Sequence, residues 1–300
     1  MLHHDAFYGL GQSAAVASRN RSGRIDENRP LTNTRPDHLP DFGKPPLNEV
    51  ALGVQFSPPI GYLQIRSGEV WSLFKSDYPV VQEQPPLEPA FETFGLQYGQ
   101  FGGRIGFFSG AMHNRFWFLR NDGDELVQFQ QDRLLHNWRK VGDQTNEYPR
   151  FEQMIERFGA EVRRLQTYFS TLSPQALVIN QCEVSYINHI EVGTGPLNLS
   201  TWLRGMVIEG VEFDDVNIGL REVIRGENGQ PIGRITYEVA AGFKPDGKRI
   251  IVLNLTARGA PKGTDIDSAL QFIALGRELI VLRFAQVTTE GAHKAWERKQ

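Results

Sequence analysis

The amino-acid sequence predicts an α+β protein with two pseudo-repeated halves, each an antiparallel sheet covered by one long amphipathic helix. Three observations lead to this class. Runs of alternating apolar and polar residues occur in both halves, an Asp-Gly turn signal separates such runs in each half, and each half closes with a long helical pattern. Antiparallel strands that bury one face under helices form this kind of layered fold.

Residues 1–44 differ from the rest of the chain in composition. They are rich in Ser, Asn, Arg, Pro and Gly, and their apolar residues are scattered, so burial cannot offset the entropy of ordering them. We expect a flexible N-terminal arm that docks loosely at most. Residues 9–14 match the dinucleotide pattern G-x-G-x-x-A, but the strand and helix that this motif requires on either side are not predicted.

Residues 45–173 are expected to form the first half. It opens with a strand at residues 49–56, in which apolar and less apolar residues alternate. A loop then leads to a helix that ends before Pro79. Residues 83–113 are dense in Gly, Pro and aromatic residues, which predicts a loop that covers an otherwise exposed surface.

A hairpin follows, with its turn at Asp122-Gly123, and then a strong amphipathic helix. The arginines and glutamates of this helix are interleaved, among them the i,i+4 pair Arg157 and Glu161, which predicts a solvated charged face. Apolar residues at helical spacing predict the buried stripe, and they are Phe151, Met154, Ile155, Phe158, Val162, Leu165 and Phe169.

Residues 174–300 are expected to form the second half in the same order. A strand at residues 176–190 precedes a short helix with a cap at Asn198 or Ser200. The shared element order suggests an internal duplication, arranged as two antiparallel sheets or as one continuous sheet. Further strands and a closing helix are predicted at residues 211–226, 231–243, 248–259 and 264–286.

The overall composition excludes several classes of protein. A net charge of −3 and an isoelectric point near 6.2 argue against a dedicated polyphosphate-binding surface. The single cysteine, Cys182, excludes an intrachain disulfide framework and fits a reducing compartment. The apolar runs are far shorter than a transmembrane helix, and the first residues lack the pattern of a signal peptide. We therefore expect a cytoplasmic protein that does not enter membranes.

Neither a metal site nor a cofactor site is predicted. The histidines are scattered, and the spacings typical of zinc ligands do not occur. The sequence also lacks the P-loop motif and the serine nucleophile elbow. Cys182 and His189 are an odd number of residues apart in one predicted strand, so they point to opposite faces and form no dyad. We expect Cys182 to be buried and inert.

An unusually polar stretch, QFQQDRLLHNWRK, occupies residues 128–140. Taken as one strand, it places Gln128, Gln130 and Asp132 on one face. His136 shares that face, but its side chain starts about 13 Å from that of Asp132, too far for an acid–base dyad. We interpret the stretch as a polar network or interface, with ligand binding as the alternative. The candidate binding residues are Gln128, Gln130, Asp132, Arg133, His136, Trp138 and Arg139.

Several blocks of the sequence together resemble one bacterial family. They are PPLNEVALGVQF, RFWFL, DELVQFQQDRLLHNWRK, YPRFE, NQCEVSYINHI, and TT followed by HKAW, and they span roughly residues 45–296. The family is sporadically distributed, and its members are uncharacterised proteins of about this length. The resemblance implies a bacterial, cytoplasmic module with an accessory role such as phage defence or a toxin–antitoxin system. It carries over no catalytic residue, cofactor or substrate.

Three functions of different class follow from these observations. The favoured one is a non-enzymatic binding module that grips a protein partner or a small ligand between its halves or on its sheet faces. The alternative is an enzyme with a composite acid–base site of Asp132, Arg133 and His136. A second alternative is a nucleic-acid-binding saddle, which the acidic net charge disfavours. Whether the chain forms a homo-oligomer is left open.

Overall fold

A computed structural model of the chain describes residues 34–95, 113–142, 146–194, 197–205 and 213–300. Within these ranges the fold is a mixed α+β structure of nine strands and four α-helices. The strands are β1 (Leu47–Phe56), β2 (Val80–Gln84), β3 (Arg115–Leu119), β4 (Glu125–Gln130), β5 (Arg133–Arg139), β6 (Ile179–Glu191), β7 (Asn217–Arg225), β8 (Pro231–Phe243) and β9 (Arg249–Gly259). The helices are α1 (Ser67–Phe74), α2 (Phe151–Leu172), α3 (Ile266–Val287) and α4 (Glu290–Ala295).

The described strands form one antiparallel sheet in the order β2-β3-β4-β5-β1-β6-β9-β8-β7. The α+β class with a large antiparallel sheet is therefore confirmed. β1 pairs with β5 on one side and with β6 on the other, so the two halves meet at the centre of the sheet. The expected arrangement of a separate sheet in each half is not confirmed, and the internal duplication stays a prediction.

The long helices α2 and α3 pack side by side on one face of the sheet. All seven apolar residues predicted for the stripe of α2 are buried beneath it. The residue before α3 is Asp265, whose side chain accepts a hydrogen bond from the Ser268 backbone N–H at 2.9 Å and so caps the helix. The short helix predicted near Asn198 is a single 3₁₀ turn, Leu199–Thr201, capped by the Asn198 side chain. Within the described residues, no helix has the length and apolar character needed to cross a bilayer.

Residues 34–44, the described end of the predicted N-terminal arm, lie against the C terminus of the chain. Leu39 and Phe42 are buried, and the Phe42 ring meets the Phe284 ring of α3 edge-on at 5.5 Å. The Gly43 backbone N–H donates to the Glu297 carbonyl oxygen at 2.9 Å. Residues 1–33, with the G-x-G-x-x-A match, lie outside the described residues.

In the pairing of β8 with β9, Gly233 lies opposite Gly259, directly beneath α3. A Cβ atom at residue 259 would overlap the carbonyl oxygen of Ile232 and would lie 2.6 Å from the Phe272 ring. The absence of a side chain at residue 259 therefore lets the aromatic ring of α3 pack directly on the sheet.

Candidate ligand-binding face of the sheet

The sheet face opposite α2 and α3, here called the open face, carries most of the polar residues singled out in the sequence. In β4, Val127 and Phe129 point into the core under the helices, so Gln128 and Gln130 point to the open face. The stretch 128–140 is not one strand, because the chain reverses at Gln131-Asp132 between β4 and β5. The single-strand interpretation was wrong at this point.

The reversal changes which residues share a face. Gln130 and Arg133 are register partners across β4 and β5, so both stand on the open face. The turn carries no glycine, and neither of its residues adopts a positive φ. It is fixed from outside, because the Phe56 backbone N–H of β1 donates to the Asp132 carbonyl oxygen at 2.8 Å. Because neither glycine nor proline occurs at this turn, the sequence carries no strong local signal for it.

One part of the open face carries a hydrogen-bond network that runs across four neighbouring strands. The Gln128 Nε2 donates to Asn137 Oδ1 at 2.8 Å, and the Asn137 Nδ2 donates to Glu49 Oε1 at 2.6 Å. Arg115 Nη1 and Trp117 Nε1 both donate to Gln128 Oε1, at 2.5 and 3.0 Å. Burial raises the pKa of the Glu49 carboxyl, which the Asn137 hydrogen bond partly counteracts. Hydrogen bonds join the side chains of this row across β3, β4, β5 and β1, as the interpretation of a structural network requires, although the Arg115 Nε–H has no partner among the described residues.

Gln130, Asp132 and Arg133 meet in a second cluster on the same face. Arg133 donates from Nε and Nη2 to the two carboxylate oxygens of Asp132, at 3.1 and 3.0 Å. Gln130 Nε2 also donates to Asp132 Oδ1, at 3.2 Å. All three side chains are buried although no regular element covers them among the described residues.

An extended stretch of the chain, residues 85–95, crosses the open face above this cluster. The Leu87 backbone N–H donates to Gln130 Oε1 at 2.8 Å, and Gln130 Nε2 donates to the Leu87 carbonyl oxygen at 2.9 Å. The Ala90 backbone N–H donates to Gln55 Oε1 at 2.9 Å. This stretch begins the loop predicted at residues 83–113, of which residues 96–112 lie outside the described residues, while Glu83 and Gln84 end β2.

Between the crossing segment and the sheet lies a cavity of about 170 Å³. Its polar walls include Arg133 and Arg258, one on each side of the sheet centre. Arg258 is held by Glu183 at 2.9 Å. Gln181 also lines the cavity, and its buried side-chain oxygen Oε1 has no hydrogen-bond partner among the described residues.

His136, another predicted site residue, lies on the opposite side of the sheet. Its side chain is 0% exposed, and its Nδ1 lies 3.0 Å from Glu161 Oε2 of α2. The Tyr78 hydroxyl donates to Glu161 Oε1 at 2.8 Å. The structure therefore does not bring His136 together with Asp132 and Arg133, and the composite acid–base site of these residues is not assembled.

The partners of His136 were missed in the sequence. Glu161 follows Phe158 by three residues, so it falls on the buried stripe of α2 rather than on a solvated face. A carboxylate on an apolar stripe is a signal for a buried polar partner. Arg157 pairs with Glu125 of β4 instead of Glu161, so the expected i,i+4 pair is wrong.

The group of His136, Glu161 and Tyr78 borders a hollow of about 560 Å³, and the side chains that line this hollow include Tyr78, Glu125 and Glu161. His136 does not line it, and its free Nε2 faces Glu125 Oε2 at 3.9 Å inside the protein. A general base must come within hydrogen-bond reach of the proton it removes. A histidine enclosed in this way can orient the surrounding carboxylates but does not reach a bound molecule.

The last two predicted residues, Trp138 and Arg139, point to different sides. Trp138 is buried under α2, with its ring centre 5.1 Å from that of Tyr148. Arg139 is half-buried on the open face, where its guanidinium lies 5.5 Å from the centre of the Trp117 ring and its Nε donates to the Gly123 carbonyl oxygen. Only Arg139 of this pair is placed to contact a ligand.

Cys182 and His189 lie on opposite faces of the single strand β6, in agreement with the odd spacing. Cys182 is 1% exposed and faces the helices, and burial raises the pKa of its thiol far above the ordinary value. Burial and the nearby Lys244 and Lys140 lower the pKa of His189. The Cys182 thiol and the His189 imidazole therefore do not form a catalytic pair.

Cys182 is therefore expected to resist alkylation in the folded protein. The thiolate is the reactive form, and neither thiolate nor reagent access is available at this position. Iodoacetamide at about pH 8 should label the urea-unfolded chain fully while the native chain stays unlabelled, as measured by intact mass spectrometry. Rapid labelling of a chain with an unchanged circular dichroism spectrum would contradict this assignment.

Among the residues that the structure describes, no group of three His, Cys, Asp or Glu side chains is arranged to hold a metal ion. Comparison of the chain with protein-family models, curated proteins and solved structures gives no match. The resemblance to a bacterial family stays a prediction.

Proposed function

We propose that the protein is a non-enzymatic binding module whose open face holds an extended segment of a protein partner. The proposal rests on the hydrogen bonds by which this face binds the backbone of residues 85–95. Gln130 binds both the N–H and the carbonyl of Leu87, and Gln55 binds the N–H of Ala90. The side-chain amides of Gln130 and Gln55 thus form the kind of hydrogen bonds with an extended backbone that a neighbouring strand would form.

The chemistry of the contacts fits a peptide better than other ligands. Amide-to-backbone bonds are independent of the peptide sequence, and the charged groups beside them supply selectivity. Arg234 pairs with Glu92 and donates to the Thr93 carbonyl oxygen, so an acidic side chain of a bound segment is recognised as well. A small ligand in the cavity of about 170 Å³ remains the narrower alternative.

The two rival functions gain less support. An acid–base enzyme requires His136 beside Asp132, and these side chains lie on opposite sides of the sheet. A nucleic-acid saddle requires unpaired cations along the face. The arginines at its centre, Arg133 and Arg258, are paired with Asp132 and Glu183.

A peptide-exchange experiment tests the proposal. In a variant with residues 87–93 replaced by Gly and Ser, the open face is vacant, and a synthetic peptide PPLEPAFETFG should bind to it in a saturable manner. The intact chain should bind the same peptide far more weakly, because its own segment competes at a millimolar effective concentration. Fluorescence anisotropy of a labelled peptide measures both affinities.

The side-chain contacts supply the control. Gln130→Ala in the vacant-face variant should weaken peptide binding about tenfold, because two hydrogen bonds to Leu87 are lost. Gln82→Ala, at an exposed glutamine of β2, should leave the affinity unchanged. A peptide that does not bind, or binds equally well to all variants, would remove the basis for the proposal.

A further inference from the structure

A second cavity lies on the helix-covered side of the sheet, where residues 35–47 cross the packed ends of α2 and α3. Its volume is about 80 Å³. The walls are mainly apolar, formed by Phe42, Leu47, Phe151, Leu255, Ile280 and Phe284. Three arginines, Arg35, Arg150 and Arg277, and the carboxylate Asp41 also line it. An apolar chamber with guanidinium groups in its wall is an arrangement that protein cores avoid unless the charges have partners.

Arg277 of α3 is only 2% exposed. Its Nη2 donates to Glu152 Oε1 at 2.9 Å, and its guanidinium lies 5.0 Å from the centre of the Phe151 ring. Its Nε–H has no hydrogen-bond partner among the described residues. One donor of a buried cation is therefore left unsatisfied beside the cavity, and native structures rarely leave such a group without a reason.

Arg35 approaches the same cavity from the N-terminal segment. Its Nε–H also has no partner in the part of the chain that the structure describes, although Nη2 donates to the backbone carbonyl of Pro40. Its nearest carboxylate is Asp41 at 3.9 Å, and Asp41 also faces Arg150 at 3.3 Å and Lys299 at 3.6 Å. Burial lowers the pKa of Arg35, and the charge of Arg277 lowers it further.

The charges around the cavity do not balance. The three arginines that line the cavity, Arg35, Arg150 and Arg277, share the two carboxylates Asp41 and Glu152 through their ion pairs. One more negative charge placed between Arg35 and Arg277 would satisfy both free N–H groups and reduce the repulsion between the guanidiniums.

We propose that this cavity binds a small monocarboxylate with a short apolar tail. The carboxylate oxygens accept the Nε–H groups of Arg277 and Arg35, and the tail lies against the rings of Phe42 and Phe284. Inorganic phosphate is disfavoured, because it would lose its hydration against apolar walls. A volume of about 80 Å³ is roughly half of an engineered cavity that takes benzene, so the ligand has about three to five non-hydrogen atoms. Propionate has the required size and charge.

Ligand-observed saturation-transfer NMR and thermal unfolding of the full chain test the site. Sodium propionate should give saturable transfer and raise the melting temperature relative to sodium chloride of equal ionic strength, with a Kd on the order of millimolar, as expected for so few atoms. Propionamide, of equal size without the charge, should bind at least about tenfold more weakly. Equal effects of propionate and propionamide, or no saturable transfer, would overturn the proposal.

Variants separate this site from a general salt effect. Arg35→Gln, at the partly exposed side of the cavity, should weaken propionate binding about tenfold, and Val281→Phe should fill the cavity and abolish binding. Arg283→Gln changes another arginine of α3 that is paired with Glu222 outside the cavity, and it should leave the affinity unchanged. Propionate binding that survives both cavity variants, with all chains folded by circular dichroism, would also overturn the assignment.

Discussion

Replacing Glu161 with leucine is expected to lower the free energy of unfolding by about 3–5 kcal/mol. The change leaves the Nδ1 of His136 and the hydroxyl of Tyr78 without their shared acceptor inside the protein. Removing one member of a buried polar cluster costs more than the interaction itself, because the remaining groups have already lost their hydration. Urea unfolding followed by far-ultraviolet circular dichroism measures the loss.

Two further variants show that the effect belongs to the cluster. Tyr78→Phe removes one hydrogen bond and should cost only about 1 kcal/mol. Glu156→Leu changes an exposed glutamate of the same helix and should shift stability by no more than about 0.5 kcal/mol. If Glu161→Leu and Glu156→Leu destabilise equally, the buried carboxylate has no special role in holding α2 on the sheet.

Gly259→Ala is expected to destabilise the protein by about 3 kcal/mol, although it adds only one methyl group. The new Cβ would overlap the Ile232 carbonyl oxygen of the paired strand and lie 2.6 Å from the Phe272 ring. Neither backbone nor ring can withdraw freely, since Phe272 is itself buried in α3. The midpoint of chemical denaturation should fall accordingly at an unchanged m-value.

The matched control for this prediction is Gly219→Ala in the outermost strand β7. No heavy atom of the described residues lies within 4 Å of the position that a Cβ would take there. The substitution also restricts the unfolded chain, so it should be neutral or stabilise by a few tenths of a kcal/mol. Equal losses for the two alanine variants would mean that glycine at residue 259 is not required by packing.

The elements that carry local signals were predictable from the sequence. The helical spacing from Phe151 to Phe169 defines α2, and both Asp-Gly turns occur, with Gly123 and Gly247 at positive φ of 73° and 82°. The separation of Cys182 from His189 followed from strand geometry alone. In each case a few adjacent residues contain the information.

The remaining errors have a common physical cause, since they depend on partners far away in the chain. The turn at Gln131-Asp132 is fixed by a hydrogen bond from Phe56, and the side chains on both sides of it are polar enough to continue a strand pattern. Glu161 has the sequence pattern of a surface residue, and only its contacts with His136 of β5 and with Tyr78, which lies between α1 and β2, explain its burial. The joining of the halves through β1 and β6 also leaves no local trace in the sequence.

The position of β1 has a consequence for protein synthesis. Of the described strands β1 is the first to be synthesised, yet it is completed on one side by β5 and on the other by β6, which is made only after α2. A nascent chain that stops before β6 therefore presents a long unpaired edge in the middle of its future sheet. Truncated products that end before β6 should therefore aggregate or require a chaperone.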